Sequence, residues 1–260
     1  MCTIGNLKTE VSRLTFKQCD LAEKVEFYKP QVQTAATGIR YVAFMRKGSE
    51  GAWCGVNEYG VAFVAADSYV DESGNLQSVS NDIFTQYLRI ITDYKTAREA
   101  AAMMKAFYQD SFLSPDILMI TDAVCAFFLE AAGGQVVMTE REDGFFASTN
   151  HFRMVYGAAP YRQNHSTYLR LQRTESILQT DPTPTGVKAV LSDRYYGDSV
   201  WSVCRSNTLT APQEEPYFTQ ASAIFHVTAT EGVKVRVDCD YIINGNPANT
   251  LWTYWENIFI

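Results

Sequence analysis

Cys2 stands directly behind the initiator methionine. It is small enough for ordinary N-terminal processing to remove Met1, which would leave one residue carrying both a thiol and a free α-amine. An unperturbed α-amine titrates at about 7.7–8.0 and a thiol at about 8.5, so near neutral pH part of the amine is free to accept the thiol proton. That is a nucleophile with its own base, the cysteine form of an arrangement known for threonine, and it needs no histidine. Two other readings compete with it. A chain end is often frayed, and a cysteine there can be incidental. A Cys-His pair would instead recruit one of the three histidines, His151, His165 or His226.

Catalysis by a chain end requires that the end be held, and a strand inside a sheet is one of the few devices that holds it. Residues 2–7 and 11–19 alternate apolar and polar side chains around a polar turn at 8–10, which predicts a hairpin starting at the terminus. Further strands are expected at 38–45 and 52–54. A turn with glycines near both ends then covers 55–62 and runs into an apolar strand at 61–66 that stops at Asp67. Helices are predicted at 80–91, with an apolar face, and at 97–107, where Thr96 and Glu99 have capping-box spacing. Met103 and Met104 read as core. Strands at 117–120, 124–130 and 135–139 form a meander through tight turns at 121–122 and 133–134, and a short strand at 145–148 leads into Thr149-Asn150-His151-Phe152. A second helical block covers 167–179 and 187–192, and strands at 221–228 and 232–237 follow. Two helix pairs among strands too apolar to face water imply two stacked sheets between helical layers.

Composition narrows the partners. With 260 residues, 47% hydrophobic and 20% charged, the chain can bury one large core, and no Pro/Gly/Ser-rich stretch divides it, so one domain over residues 1–260 is expected. A net charge of -7 argues against nucleic acid or an anionic membrane, both of which need a basic surface. The first ten residues have neither a basic start nor a long apolar run, so no uncleaved signal peptide is expected, and no segment approaches a membrane span. Six scattered cysteines, Cys2, Cys19, Cys54, Cys125, Cys204 and Cys239, suggest neither zinc nor a disulfide scaffold. All but Cys2 read as buried small residues in a reducing cytoplasm. No phosphate-loop pattern occurs, and no metal, nucleotide or flavin is implied. A small molecule is the expected partner, with self-association into a homo-oligomer left open.

Five segments, taken in order, resemble the cysteine N-terminal nucleophile (Ntn) hydrolases: Met1-Cys2-Thr3, Phe16-Lys17-Gln18-Cys19-Asp20, Gly55-Val56-Asn57-Glu58-Tyr59-Gly60-Val61-Ala62, Thr149-Asn150-His151-Phe152 and Arg170-Leu171-Gln172-Arg173. The resemblance is to the choloylglycine hydrolase and penicillin V acylase group and to the related 6-aminopenicillanic acid acyltransferase-like family. It spans residues 2 to about 237, and the shared order carries it rather than any one motif. It implies an α+β fold, a four-layer αββα sandwich of two mainly antiparallel sheets with Cys2 at the end of the first strand. It also implies roles. Asp20 orients the α-amine and raises its basicity; the residues alone favour a solvated turn aspartate. Asn150 and the backbone N–H of Asp67 form the oxyanion hole; on spacing alone Asn150 is as readily a turn asparagine. Arg170 supports the charge network near the nucleophile, where a solvated helix arginine is the alternative.

Three departures from that pattern concern the substrate more than the reaction. Lys17 stands where the bile-salt enzymes carry arginine, and gives a point charge instead of a planar fork. Asp67 replaces an asparagine, and Gln18-Cys19 is unusual between the basic residue and the aspartate. The function read from the chain is hydrolysis of a linear, non-peptide amide of an acylated small molecule through a thioester on Cys2. Transfer of the acyl group from an amide or thioester to an amine acceptor by the same intermediate is the alternative. A non-catalytic binding protein that keeps the fold is the second.

Overall fold

A computed structural model describes residues 1–49, 51–68, 82–155, 165–206, 217–230 and 235–260. The terminal hairpin comprises β1 (Cys2–Lys8) and β2 (Ser12–Leu21), paired with Cys2 opposite Cys19 and Lys8 opposite Arg13. Both strands are buried along nearly their whole length, not on one face as an alternating pattern suggests. The polar side chains of the outward face, such as Thr3 and Gln18, are covered by helices instead of water. Gly5 permits this pairing, because a Cβ there would lie 2.2 Å from the ring of Phe16, its cross-strand partner.

The chain continues through β3 (Val32–Thr34), β4 (Arg40–Met45), β5 (Ala52–Asn57) and β6 (Ala62–Asp67). Residues 55–57, expected in a turn, extend β5. Asn57 ends it by accepting from the N–H groups of Tyr59 and Val61, and the reversal is confined to the few residues around Gly60. Next come α1 (Asp82–Thr92) and α2 (Ala97–Asp110), the latter capped by Thr96, whose hydroxyl accepts from Glu99 N–H. Positions 80 and 81 of the predicted first helix lie outside the described residues. Met104 is fully buried, and Met103 packs at the margin of the same core.

The meander appears as β7 (Asp116–Thr121), β8 (Ala126–Ala132) and β9 (Gln135–Arg141), and Gly133 and Gly134 take the positive φ of a two-residue hairpin turn. Then follow β10 (Phe145–Ser148), α3 (Ser166–Thr180), α4 (Pro184–Ser192), β11 (Phe218–Ala229), β12 (Val235–Ile243) and β13 (Thr253–Trp255). Residues 232–234 of the last predicted strand lie outside the described residues, and the strand itself runs to Ile243, well past 237. The three-residue strands β3 and β13 carry no alternation that sequence could reveal.

Two antiparallel sheets result, ordered β10-β1-β2-β11-β12-β13 and β3-β4-β5-β6-β7-β8-β9. Helices α1 and α2 cover the second sheet through Tyr87, Ile90, Ile91 and Met104, while α3 and α4 cover the first through Leu178, Val187, Val190 and Leu191. Between the sheets lies a third core that includes Cys2, Ile4, Cys19, Phe44, Trp53, Cys54 and Phe225. This is the αββα order of layers. Strand period then sorts β2: Lys17 and Cys19 share the inter-sheet face with Cys2, and Gln18 and Asp20 point toward the helices.

At the outer edge of this arrangement Asp67 pairs with Asp116. The buried Asp116 carboxylate accepts from Tyr87 and Tyr108 hydroxyls and from its neighbour Ile117 N–H. Burial, which outweighs these bonds, raises its pKa to about 6. Since the folded value exceeds the unfolded one, the folded state keeps its proton longer, and the associated stability is full below about pH 4 and lost as pH rises through 6. Relative to Asp116→Asn, unfolding free energy of the wild type is expected to fall by roughly 2–3 kcal/mol between pH 4 and 7. Chemical denaturation of both proteins at several pH values measures this, and parallel curves would rule it out.

Candidate active site

The site is built where β1 begins. Met1 and Asp20 exchange both main-chain hydrogen bonds, Met1 N to Asp20 O at 2.9 Å and Asp20 N to Met1 O at 3.0 Å. By the alternation of an antiparallel ladder, Cys2 and Cys19 then form the next, non-hydrogen-bonded pair, so the N–H of Cys2 points away from β2. It points at Asn150. Strand β10 pairs with β1 up to Ile4 opposite Ser148, and continuing that register two residues brings Asn150 level with Cys2. There the ladder is completed by a side chain: Cys2 N donates to Asn150 Oδ1 at 3.1 Å.

Asn150 is itself gripped on every side. Its N–H donates to Thr167 Oγ1 at 2.9 Å, its carbonyl accepts from Ser68 Oγ at 2.7 Å, and its Nδ2 donates to the carbonyl of Asp67 at 2.6 Å. Arg170, fully buried on α3, donates from Nη2 to Asn150 Oδ1 at 2.8 Å and from Nη1 to Cys2 O at 2.8 Å and Thr3 Oγ1 at 3.1 Å. The loop beyond Asn150 is fixed by Glu130, whose carboxylate accepts from the N–H groups of Arg153, Met154 and Val155. Nothing in the sequence marks Glu130 for this, since it ends an ordinary strand.

On the inter-sheet face three thiols and two cations meet. The Cys19 thiol hydrogen-bonds Cys2; this bond first, then Lys17 and the terminal ammonium, outweigh burial and Asp67 and bring the Cys2 thiol well below its ordinary pKa. The same bond, with burial, drives the Cys19 thiol well above its own. Burial also raises Cys54, which faces them from β5. Lys17 donates to the carbonyl of Ala65 and lies 5.7 Å from the centroid of the Trp53 ring. Burial opposes its charge, yet Cys2, Cys19 and Asp67 together hold its pKa above the usual lysine value. Arg46 behaves alike: burial works against it, and Cys19, Asp67 and Cys2 raise it. Cys19 therefore does more than fill the core as a small apolar residue, and nothing in the sequence marks Arg46, since an arginine between Met45 and Lys47 has no distinctive context.

Asp20 occupies the opposite face of β2. It is fully buried in a strand, not solvated in a turn. Burial raises its pKa while Arg205 and Arg170 work against the rise. Oδ1 accepts from Thr219 Oγ1 at 2.7 Å, and Oδ2 is buried with no hydrogen-bond partner among the described residues. A cleft of about 230 Å³ lined by Arg194, Arg205, Thr219 and Asn246 opens beyond it. The structure thus brings Cys2, Lys17, Asp20, Asp67, Asn150 and Arg170 into one neighbourhood. It keeps the histidines elsewhere: His151 bonds Thr149 and Thr167 hydroxyls and is lowered to about 4 chiefly by burial, His165 caps α3, and His226 bonds Asp240. A Cys-His pair gains no support from these positions. Among the described residues no group of three or more His, Cys, Asp or Glu is arranged to hold a metal ion, and no helix is long and apolar enough to cross a membrane.

Comparison with known proteins agrees with this architecture. The model of the family described as acyl-coenzyme A:6-aminopenicillanic acid acyl-transferase matches residues 23–223. That stretch contains Asp67, Asn150 and Arg170, whereas Cys2, Lys17 and Asp20 precede it. No protein of curated function matches in sequence. Among solved structures, a mutant conjugated bile acid hydrolase from Clostridium perfringens superposes with a TM-score of 0.53 at 11% identity, covering 98% of this chain and 97% of that one. A further variant of that hydrolase gives the same values. The Caenorhabditis elegans ortholog of N-acylethanolamine-hydrolyzing acid amidase gives 0.54 at 11% identity, covering 86% and 92%. At such identity the likeness is one of fold, the Ntn hydrolase sandwich.

The thiol geometry makes a direct prediction. Alkylation of Cys2 by iodoacetamide, followed by peptide mass mapping against pH, is expected to have its midpoint below that of an ordinary thiol, and Cys19→Ala is expected to raise it. An unchanged midpoint in the variant would remove the Cys19 hydrogen bond as the cause.

Proposed function

Because this chain belongs to the acyl-coenzyme A:6-aminopenicillanic acid acyl-transferase family, we propose that it cleaves a linear amide of an acylated small molecule by way of a thioester on Cys2. The observation that carries this reading is the capture of the Cys2 main chain, with its nitrogen 3.1 Å from Asn150 Oδ1 and its carbonyl on Arg170, beside a buried Asp20 oxygen without a partner. Once Met1 is removed, that nitrogen is the α-amine. Asn150 Oδ1 already faces it, and the unpartnered Oδ2 of Asp20 is the carboxylate oxygen we assign to it. Burial lowers the terminal amine of Met1, against the pull of Cys2, Asp67 and Asp20; the same surroundings would keep the Cys2 amine neutral enough to act as a base.

The steps follow from these parts. The amine takes the thiol proton, and the Cys2 sulfur attacks the amide carbonyl. Asn150 Nδ2 and the N–H of Asp67 stabilise the oxyanion, and Lys17 supports the negative charge carried by sulfur before attack. Collapse breaks the C–N bond, and the protonated amine gives its proton to the leaving nitrogen. Water then attacks the thioester, losing its proton to the amine, and releases a carboxylic acid with the Cys2 thiol restored. The family's description favours a second outcome, in which an amine acceptor takes the acyl group instead of water. Both outcomes share every step up to the thioester.

Intact mass spectrometry tests the reading: loss of Met1, then an acyl adduct on Cys2 after exposure to a panel of amides and acyl thioesters. Cys2→Ala is expected to abolish adduct and turnover, and Asn150→Ala to lower kcat by about 100- to 1,000-fold with its fold checked by thermal unfolding. Full turnover in Cys2→Ala, or in a protein bearing an uncleavable extension before Cys2, would overturn the proposal.

A further inference from the structure

We propose that Cys2 and Cys19 form a redox-active dithiol that a hydroperoxide converts to a reversible cross-strand disulfide, which takes the Cys2 sulfur out of use. The pair sits directly opposite across β1 and β2, at a position flanked by the doubly hydrogen-bonded pair Met1 and Asp20. Non-hydrogen-bonded pairs place their Cα atoms about 4.5 Å apart, with side chains close on the same face. A disulfide spans Cα separations of roughly 4.4–6.8 Å, so closure asks little of the backbone. The two thiols share the inter-sheet face, and both are free.

Their chemistry is divided as such a reaction requires. Cys2 has the thiolate character that attacks peroxide, and Cys19 keeps its proton and stands beside it as a resolving thiol. In the first step the Cys2 thiolate attacks one peroxide oxygen, the O–O bond breaks, an S–O bond forms, and the leaving hydroxide becomes water by taking up the proton that the Cys2 thiol gave up on ionising. In the second the Cys19 sulfur attacks the Cys2 sulfenic acid, the S–O bond breaks, and the S–S bond forms. The Cys19 proton leaves with the departing hydroxide as water. Two electrons pass from the sulfurs to the peroxide, and a dithiol reductant returns them. Cys2 is 3% exposed and Cys19 fully buried, so a small oxidant is the fitting reagent and a bulky disulfide is not. Cys54 belongs to the opposite sheet, not to a strand paired with β1, and is the competing partner that an experiment must separate.

Purified protein treated with hydrogen peroxide is expected to lose the mass of two hydrogens and to yield a Cys2–Cys19 linked peptide. Dimedone, which traps sulfenic acids, should label wild-type Cys2 poorly. In Cys19→Ser the same treatment should leave Cys2 open to dimedone and lead on to the sulfinic acid, which dithiothreitol does not reverse. A wild type that accumulates dimedone-labelled Cys2 without the link, or that links Cys2 to Cys54, would overturn the proposal. These readouts need no substrate. The companion expectation rests on the catalytic reading of Cys2: turnover drops roughly tenfold or more on oxidation and returns with dithiothreitol. Formation of the link with turnover unaffected would count against that catalytic reading and leave the dithiol in place.

Discussion

A strand end whose main chain is hydrogen-bonded on both edges is the constraint on which this molecule depends. Chain termini lose little by fraying, because their last residues usually have few contacts to give up. Here β2 holds Met1, and on the other edge the ladder would stop at Ser148, but the side chain of Asn150 takes over the role of a strand residue. Asn150 can do so because its own backbone is tied to Thr167 and Ser68 and its amide to Asp67. Arg170 closes the ring from the helical layer. Elements from both sheets and from α3 therefore converge on one residue, and the position of the Cys2 sulfur follows from the fold as a whole.

The second consequence is electrostatic. Cys2 lies in the dry layer between sheets, where burial alone raises a thiol, as it does Cys54. Three features reverse the direction for Cys2: the Cys19 thiol first, then Lys17, which is charged despite being buried, and the terminal ammonium. In a medium of low dielectric such interactions are stronger than in water, and so is the cost of leaving any of them unpaired. Period two in β2 keeps these groups apart from Asp20, whose carboxylate faces the helical side and accepts from Thr219. One strand thus turns Lys17 and Cys19 toward the nucleophile's sulfur and Asp20 toward the helical layer.

Much of the frame was legible before any coordinates. The hairpin, the meander closed by Gly133-Gly134, the Thr96 cap and the two helix pairs follow from short-range pattern and turn chemistry, which act within a few residues. What pattern missed has equally physical causes. Alternation in β1 and β2 does not say which helices cover their polar face; α3 and α4 do, and coverage is a property of distant segments. The 55–57 stretch looked like a turn because of its glycine, yet Gly55 pairs with Ala43 and Phe63 inside the sheet. For Asp20 and Arg170 the residues alone left a solvated alternative open, and burial closed it.

By itself the sequence determined the identities: a cysteine behind the first methionine, the order of the segments that resemble one family, and a net charge of -7. These are local or compositional facts, and no fold is needed to read them. The tertiary structure decided which side chains share a space. That Cys19 would face Cys2 depends on hairpin register, that Arg46 would reach Cys19 depends on the stacking of two sheets, and that Glu130 would hold the loop beyond Asn150 depends on a contact between segments more than twenty residues apart. Sequence sets what each group can do, but proximity in a packed interior sets which groups act on one another, since electrostatic and hydrogen-bond energies fall steeply with distance.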